Sequence, residues 1–350
     1  MKRVTSAILA LVMASSVLAI CANAKGNGSS ELTPEWKAMV LKNYEEFISE
    51  VDGNSNRIPL IISTDQHGSI GADSELYKYI NEITDWNKIS KIINLGDTVE
   101  KQFNILQLLS YRIATRYLPA EKRIEVIGNH DRTKLHFGVF PSIFFPNKYA
   151  EKSNVLYNFT TRDDAYGIRY VAVDYKTDPW NYTSGRINKK HADFIVSELE
   201  KEDESDIILM AHTYIFRDAV INRDGTTFTG SDCFIGSADE YADVRQSYID
   251  MLRARKEKSS GVLLDCEGNE HPYDFSKCRG DLLLTLHGHH HTEGYETNSG
   301  ITEFMFQSMR YDNGSNNEPN CFYFAYVDKE NHTLKCWKNV EGYDAWEISF

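Results

Sequence analysis

The chain has 350 residues, with 38 basic and 51 acidic side chains and a formal net charge of −13. That length admits one large α/β domain or two small ones. So acidic a surface lacks the basic face that counterion release requires, which excludes a general nucleic-acid binder or a protein held on anionic membranes.

Residues 1–24, MKRVTSAILALVMASSVLAICANA, carry Lys2 and Arg3, then an apolar run, then Ala22-Asn23-Ala24 as a small-x-small cleavage site. These are the parts of an export signal. The apolar run is too short and too early for a membrane span, and nothing later reaches 18 apolar residues, so no transmembrane segment is expected. Cleavage after Ala24 makes the protein secreted or periplasmic. Lipid attachment at Cys21 is the lesser alternative, because Ile20 stands where a small residue normally precedes such a cysteine. Cys233, Cys266, Cys278, Cys321 and Cys336 follow. Export permits disulfides, and the nearest pairs are Cys266 with Cys278 and Cys321 with Cys336, but sequence does not fix connectivity. The absence of C-x-x-C argues against a thiolate zinc site.

After a Gly/Ser-rich stretch, Thr33 caps a first helix with Pro34 in its first turn, and Trp36, Val40, Tyr44 and Phe47 recur on one face. Short apolar strands then alternate with amphipathic helices. LIIST (60–64) precedes a helix near 74–86, KIINLG (91–96) precedes one at 101–118, and RIEVIG (123–128) runs into a loop. IRYVAVDY (168–175) is a strand, and 187–200 is a helix facing inward through Ile187, His191, Phe194, Ile195 and Leu199. DIILMA (206–211) and DLLLTL (281–286) are further strands. Between them a helix near 238–256 opens on Ser237-x-x-Glu240, with irregular excursions around it. From 303 onward strands follow without helices. This order predicts an α/β fold with a buried sheet covered by helices, mixed or antiparallel at its C-terminal end, and one domain over 25–350.

Each early strand ends in polar residues. LIISTDQH ends in Asp65 and His67, KIINLGD in Asp97, and RIEVIGNHD in Asn129, His130 and Asp131. DIILMAH ends in His212, and TLHGHHHTEG (285–294) supplies His287, His289, His290 and His291. Taken singly, each has an ordinary reading: Asp97 as a helix cap, Asn129 as a turn residue, His212 as a hydrogen-bonded core histidine. Those readings do not explain why five clusters of N and O donors fall in order at strand ends. In open α/β sheets the crevice beyond the carboxyl ends of the strands is where ligands bind.

In this order the residues resemble the calcineurin-like metallophosphoesterase family. Its signature runs Asp-x-His, Gly-Asp, Gly-Asn-His-Asp/Glu, a lone His, then Gly-His-x-His. Here these are Asp65-Gln66-His67, Gly96-Asp97, Gly128-Asn129-His130-Asp131, His212 and Gly288-His289-His290-His291. The resemblance covers about 58–292. It implies a four-layer α/β/β/α sandwich of two mixed sheets flanked by helices, with two divalent metal ions (manganese, zinc or iron) at the strand ends. Asp65, His67 and His291 would hold one metal, Asn129, His212 and His289 the other, and Asp97 would bridge them. His290 would point away, and His287, still on its strand, would support the ligands. A metal-bridging hydroxide would attack phosphorus, and His130 would protonate the leaving oxygen with Asp131 orienting it. Glu100 stands where the second motif usually has Asp or Asn. His67 replaces the glycine of purple acid phosphatases, and no tyrosine follows Asp97 at their chromophore position, which speaks against that subgroup.

The implied activity is hydrolysis of a small phosphodiester or phosphomonoester. DYKTDPWNY (174–182) and TYIFRD (213–218) are candidate pocket walls, with Arg132 and Arg217 as candidate phosphate-binding residues. The competing class is a metal-binding protein that keeps the fold without catalysis. Such a chain would be expected to have lost His130 or a ligand, and none is missing.

Overall fold

The computed structural model describes residues 32–67, 72–100, 105–131, 158–174, 187–215, 219–228, 242–309 and 320–350. The leader therefore lies outside the described residues. Helix α1 (Pro34–Val51) begins as the sequence implies: Thr33 Oγ1 accepts from Trp36 N at 3.1 Å, and Pro34 occupies the first turn. It buries Val40, Tyr44, Phe47 and Val51. Helix α2 (Ala72–Ile83) and helix α3 (Ile105–Ala114) lie beside it. The helix expected over 101–118 ends early, because a 3-10 turn (Thr115–Tyr117) closes it before Pro119.

Strands β1 (Arg57–Ser63), β2 (Lys91–Asn94) and β3 (Arg123–Glu125) run parallel. On the other side of β1 come β14 (Tyr323–Asp328), β15 (Thr333–Lys338) and β16 (Trp346–Ser349), all antiparallel. The second sheet has eight strands. In spatial order they are β4 (Phe159–Asp163), β5 (Ile168–Val173), β6 (Asp206–Ala211), β11 (Leu282–His287), β13 (Ile301–Met305), β12 (Gly294–Asn298), β7 (Val220–Asn222) and β8 (Thr227–Phe228). Its central strands β5, β6, β11 and β13 are parallel. Helices α4 (Lys189–Leu199) and α5 (Ala242–Glu257) cover it.

Alternation within the strands builds the layers. Leu60 and Ile62 meet Tyr170, Met210, Leu284 and Phe304 between the two sheets, whereas Ile61, Phe324 and Tyr326 face α1 and α2. Val171, Val173, Ile207 and Leu209 face α4 and α5. Strands buried on both faces explain why the sequence shows continuous apolar runs rather than alternation. The result is the expected four-layer α/β/β/α stack. Truncating a fully enclosed side chain such as Phe47, 0% exposed, costs about 3–5 kcal/mol.

The segment between β6 and β11 differs from expectation. Besides α5 it holds β7, β8 and a hairpin of β9 (Ser260–Leu264) with β10 (Glu270–Asp274). The hairpin had a signal, since His271 and Tyr273 alternate with exposed neighbours and Gly268 takes φ +81 in the turn. The Ser237–Glu240 capping box and Cys233 lie outside the described residues. Cys278 and Cys336 are free thiols, so neither of the two nearest pairs is bridged. Among the described residues no helix is long and apolar enough to cross a membrane.

Candidate metal centre

Parallel pairing brings the carboxyl ends of β1, β2, β3, β6 and β11 to one edge, so residues far apart in sequence meet there. The backbone bends sharply as each strand stops. Asp65, His67, Asp97, His289 and His291 all adopt positive φ, from 47° to 76°. Left-handed backbone is uncommon outside glycine, and its concentration at five candidate ligands marks a strained, over-determined site. Gly288 itself is not among the positive-φ residues. It is required for space, because a Cβ there would collide with Thr64 Oγ1 and Asp65 Oδ2. At Gly128 a Cβ would strike Asp97 in the same way.

Two clusters result. In the first, His67 Nε2 lies 3.0 Å from His291 Nε2, and Asp65 Oδ1 lies 3.4 Å from His291 Nε2 and 3.8 Å from His67 Nε2. In the second, His289 Nδ1 lies 3.0 Å from Asn129 Oδ1, and the donor atoms of Asp97, His212 and His289 fall within 4.8 Å of one another. Asp97 Oδ2 stands between them, 3.2 Å from His212 Nε2, 3.8 Å from His67 Nε2 and 3.9 Å from His130 Nε2. The structure thus brings together all seven residues that the sequence reading names as ligands, with His130 alongside.

The electrostatics are those of a cation site. Burial opposes a charged Asp97, yet the His212 imidazole holds its carboxyl below the usual range, and Asp65 is held down likewise. Burial also opposes a protonated His67, but Asp65, Glu100 and Asp97 push its pKa up to about 10. His212, facing Asp97 and Asp65, rises to about 9 despite burial. His289 goes the other way, driven down to about 3 by burial and by His212.

Hydrogen bonds fix which atoms face inward. His212 Nδ1 donates to Leu95 O at 2.8 Å, which turns Nε2 toward the carboxylates. Thr64 Oγ1 and His289 N donate to Asp65 Oδ2 at 2.6 and 2.8 Å, leaving Oδ1 for the cluster. Past β13, Gln307 Nε2 donates to His291 O at 2.6 Å and Ser308 Oγ to Asp65 O at 2.8 Å. Sequence reasoning passed over this pair, although FMFQSM is one more apolar strand ending in polar residues. His287, 0% exposed, donates from Nδ1 to Thr213 O at 2.9 Å, and its Nε2 lies 3.3 Å from Glu303 Oε1. Glu303 accepts from Ile215 N, so the two residues clamp the segment that follows His212. His290 turns away from the clusters and packs its ring against Tyr214, centroids 4.8 Å apart.

One assignment is corrected. Asp131 does not orient His130. Its carboxylate is buried and accepts from Val99 N at 3.1 Å and Gly128 N at 3.0 Å, tying the β2 and β3 loops together. Burial, and the charge of Asp97, raise it to about 7. His130 is held instead by Glu100 O, 2.5 Å from Nδ1. Arg132 and Arg217, and most of the two candidate pocket walls, lie outside the described residues.

The donors fit divalent cations. Asp65 Oδ1 and His212 Nε2 are buried, 3.7 Å apart, and neither has a hydrogen-bond partner. Neighbouring donors about 2.0–2.2 Å from one cation stand roughly 3 Å apart, as the His67–His291 and Asn129–His289 pairs do. Imidazole, carboxylate and amide without thiolate suit zinc, manganese or iron.

No protein-family model matches the chain, and no curated protein matches it. Solved structures do. GAP50, the anchor in the inner membrane complex of Plasmodium, is 11% identical over 84% of this chain and 88% of its own, with a TM-score of 0.48. A purple acid phosphatase from yellow lupin (Lupinus luteus) seeds is 15% identical over 84% of this chain and 54% of its own, with a TM-score of 0.47. A predicted phosphoesterase from Streptococcus pneumoniae is 12% identical over 84% and 98%, with a TM-score of 0.34. In the order of its motifs and in their convergence at the strand ends, this chain is similar to the calcineurin-like metallophosphoesterases.

Proposed function

We propose that the protein is an exported, dinuclear metal-dependent phosphoric ester hydrolase acting on phosphodiesters or phosphomonoesters. The observation that carries this reading is the convergence of seven N and O donors from five strand ends into two clusters sharing Asp97, with His130 beside them. Asp65, His67 and His291 would hold one divalent ion, and Asn129, His212 and His289 the other. Bound there, the ions supply Lewis acidity to phosphoryl oxygens and to the attacking water. They also offset the negative field of an acidic chain that must admit an anionic substrate. The amino-terminal leader supports export.

His130 would handle the proton. Its Nδ1 donates to Glu100 O, which leaves Nε2 facing Asp97 and the shared space. As an imidazolium it gives the Nε2 proton to the ester oxygen as the P–O bond breaks, and water contributes the oxygen that phosphorus gains. The ring is partly exposed, so solvent restores the proton. Chelation is expected to abolish turnover on matched mono- and diester substrates, and added Mn²⁺, Zn²⁺ or Fe²⁺ to restore it in step with metal content.

The His130 role has its own test. A general acid contributes about 10²–10⁴-fold where the leaving group is an alkoxide and far less where a nitrophenolate leaves unaided. His130→Ala should keep both metals and lose much more activity on alkyl than on nitrophenyl esters. Equal losses on both, accompanied by metal loss, would reduce His130 to a support for Asn129.

A further inference from the structure

At the opposite end of the second sheet, away from the metal centre, two guanidiniums are enclosed. Arg169 stands near the start of β5 and Arg255 in the last turn of α5, 1% and 0% exposed. Arg255 donates from Nε to Leu199 O at 2.9 Å and from Nη1 to Gly280 O at 2.7 Å. Among the described residues Arg169 has one hydrogen bond, from Nη1 to Asp203 Oδ2 at 3.4 Å. Arg169 Nε, Arg169 Nη2 and Arg255 Nη2 are buried without a partner.

These groups share one corner. Gly280 accepts from Arg255 and donates from its own N to Asp203 O at 3.3 Å, while Asp203 accepts from Arg169. Val171 and Val173, on the same side of β5 as Arg169, pack in one layer with Leu252 and Ala254 of α5 and with Cys278. Burial lowers both guanidinium pKa values, and for Arg255 the charge of Arg169 adds to it.

The positive charge is under-matched. Asp203 is shared with the exposed Arg162, whose Nη1 lies 3.2 Å away, and Arg255 is hydrogen-bonded only to carbonyls. Cys278 does not serve as a thiolate, because it donates from Sγ to Leu199 O at 3.4 Å and burial raises its pKa. Glu198 and Asp281 also act on the pair, but each is bridged to a lysine of its own, Lys201 and Lys258. Buried cations that are only partly matched are costly, and buried N–H groups without acceptors add to that cost. A water accepts hydrogen bonds but leaves the charge unmatched.

We propose that Arg169 and Arg255 bind a small monovalent anion of the halide class, a structural site that locks the start of β5 to the end of α5. Every unpartnered atom there is an N–H donor, and a halide accepts several such bonds while requiring no donor in return. The inference is independent of the metal centre and of the proposed hydrolysis.

The test is thermal unfolding of the full chain at constant ionic strength, with gluconate replaced stepwise by chloride or bromide. A saturable rise in Tm is expected, about 4 °C or more once the halide exceeds its Kd a hundredfold. Arg169→Met, which removes one buried charge at similar length, should fold in gluconate and show no such rise. The same rise in that variant, or none in the unaltered protein, overturns the proposal. Should the variant fail to fold, anomalous scattering from bromide-grown crystals decides. A peak between the two guanidiniums supports the site, and a water there removes it.

Discussion

The two ligand clusters sit side by side on the same strand ends, yet they hold their protons differently. The first is rich in anions: Asp65 and Glu100 flank His67 and keep it protonated up to about 10. The second contains a neutral amide, Asn129, and an imidazole, His289, whose pKa has fallen to about 3. A cation entering the second cluster therefore finds one donor already bare and displaces a proton mainly from His212. In the first it must displace the more tightly held proton of His67, and it gains more negative charge in return. Similar strand-end placement has given two sites with different proton costs, and selective changes can separate them.

The largest effect should come from Asp97, the side chain that both clusters share. Asp97→Ala is expected to lower the content of both metals and to reduce turnover by more than about 10³-fold, since Lewis-acid stabilisation amounts to several kcal/mol. Two metals retained with near-normal turnover would break the shared assignment. Single-cluster changes sharpen the comparison. His291→Ala should empty the first cluster and spare the second, and His212→Ala the reverse, with elemental analysis reading about one metal per chain in each. Loss of both metals from either variant would mean that the clusters are not separable.

How much of this was legible in the sequence follows from what sequence can encode. The seven ligand candidates and His130 were readable because each follows an apolar strand in the order of the family signature, although those strands belong to two sheets. Alternating strands and helices gave a buried sheet covered by helices, and the four-layer order came from the resemblance to the family. Asp131 was misassigned because adjacency to His130 in sequence says nothing about where a carboxylate points after a tight turn. There it caps the amides of Gly128 and Val99. The His287–Glu303 clamp was invisible for a related reason: it joins two neighbouring strands in register, and register is set by pairing. The β9–β10 hairpin carried alternation at His271 and Tyr273 and a turn glycine at Gly268, but Pro272 and the charged ends of β10 masked that short pattern.

The proton difference predicts a pH dependence. The folded pKa values of His67 and His212 lie above the unfolded value of about 6.5, at about 10 and about 9. Their contribution to the stability of the chelated protein is therefore fully present below about 6.5 and lost as pH rises through 9–10. Chemical denaturation in the presence of chelator should give a lower midpoint at pH 10.5 than at pH 7. Metal uptake carries the opposite sign, because each proton released raises apparent affinity up to tenfold per pH unit below that group's pKa. First-cluster affinity should keep climbing to about pH 10 while second-cluster affinity levels near 9. Titrations in buffers of different ionisation enthalpy count the protons released, and release of none would contradict these assignments.

A smaller and selective effect is expected at the clamp. His287 and Glu303 hold the segment after His212, so His287→Ala should weaken the second cluster by about 10–100-fold in metal affinity. The first cluster should change little, even though His291 lies only four residues from the substitution. Competition with a fluorescent chelator on the His291→Ala background isolates the second cluster, and the His212→Ala background isolates the first. Equal weakening of both would show that His287 supports the whole turn rather than one ligand.

The smallest expected effect tests the backbone itself. His291 holds φ +55 and its Nε2 lies 3.0 Å from that of His67. Without a cation the protonated His67 donates across that contact to His291, while the left-handed backbone at 291 holds about 1 kcal/mol of strain. Asparagine tolerates this conformation better than most residues but gives up the hydrogen bond, itself about 1 kcal/mol. The two effects offset, so His291→Asn should leave the Tm of the chelated protein within about 1 °C of the unaltered chain. In metal-saturated protein the same change should lower Tm, because a ligand has been lost and with it binding energy that stabilises only the folded state. An equal drop in both conditions would mean that His291 serves the fold as much as the site, and that the strain is not relieved at this position.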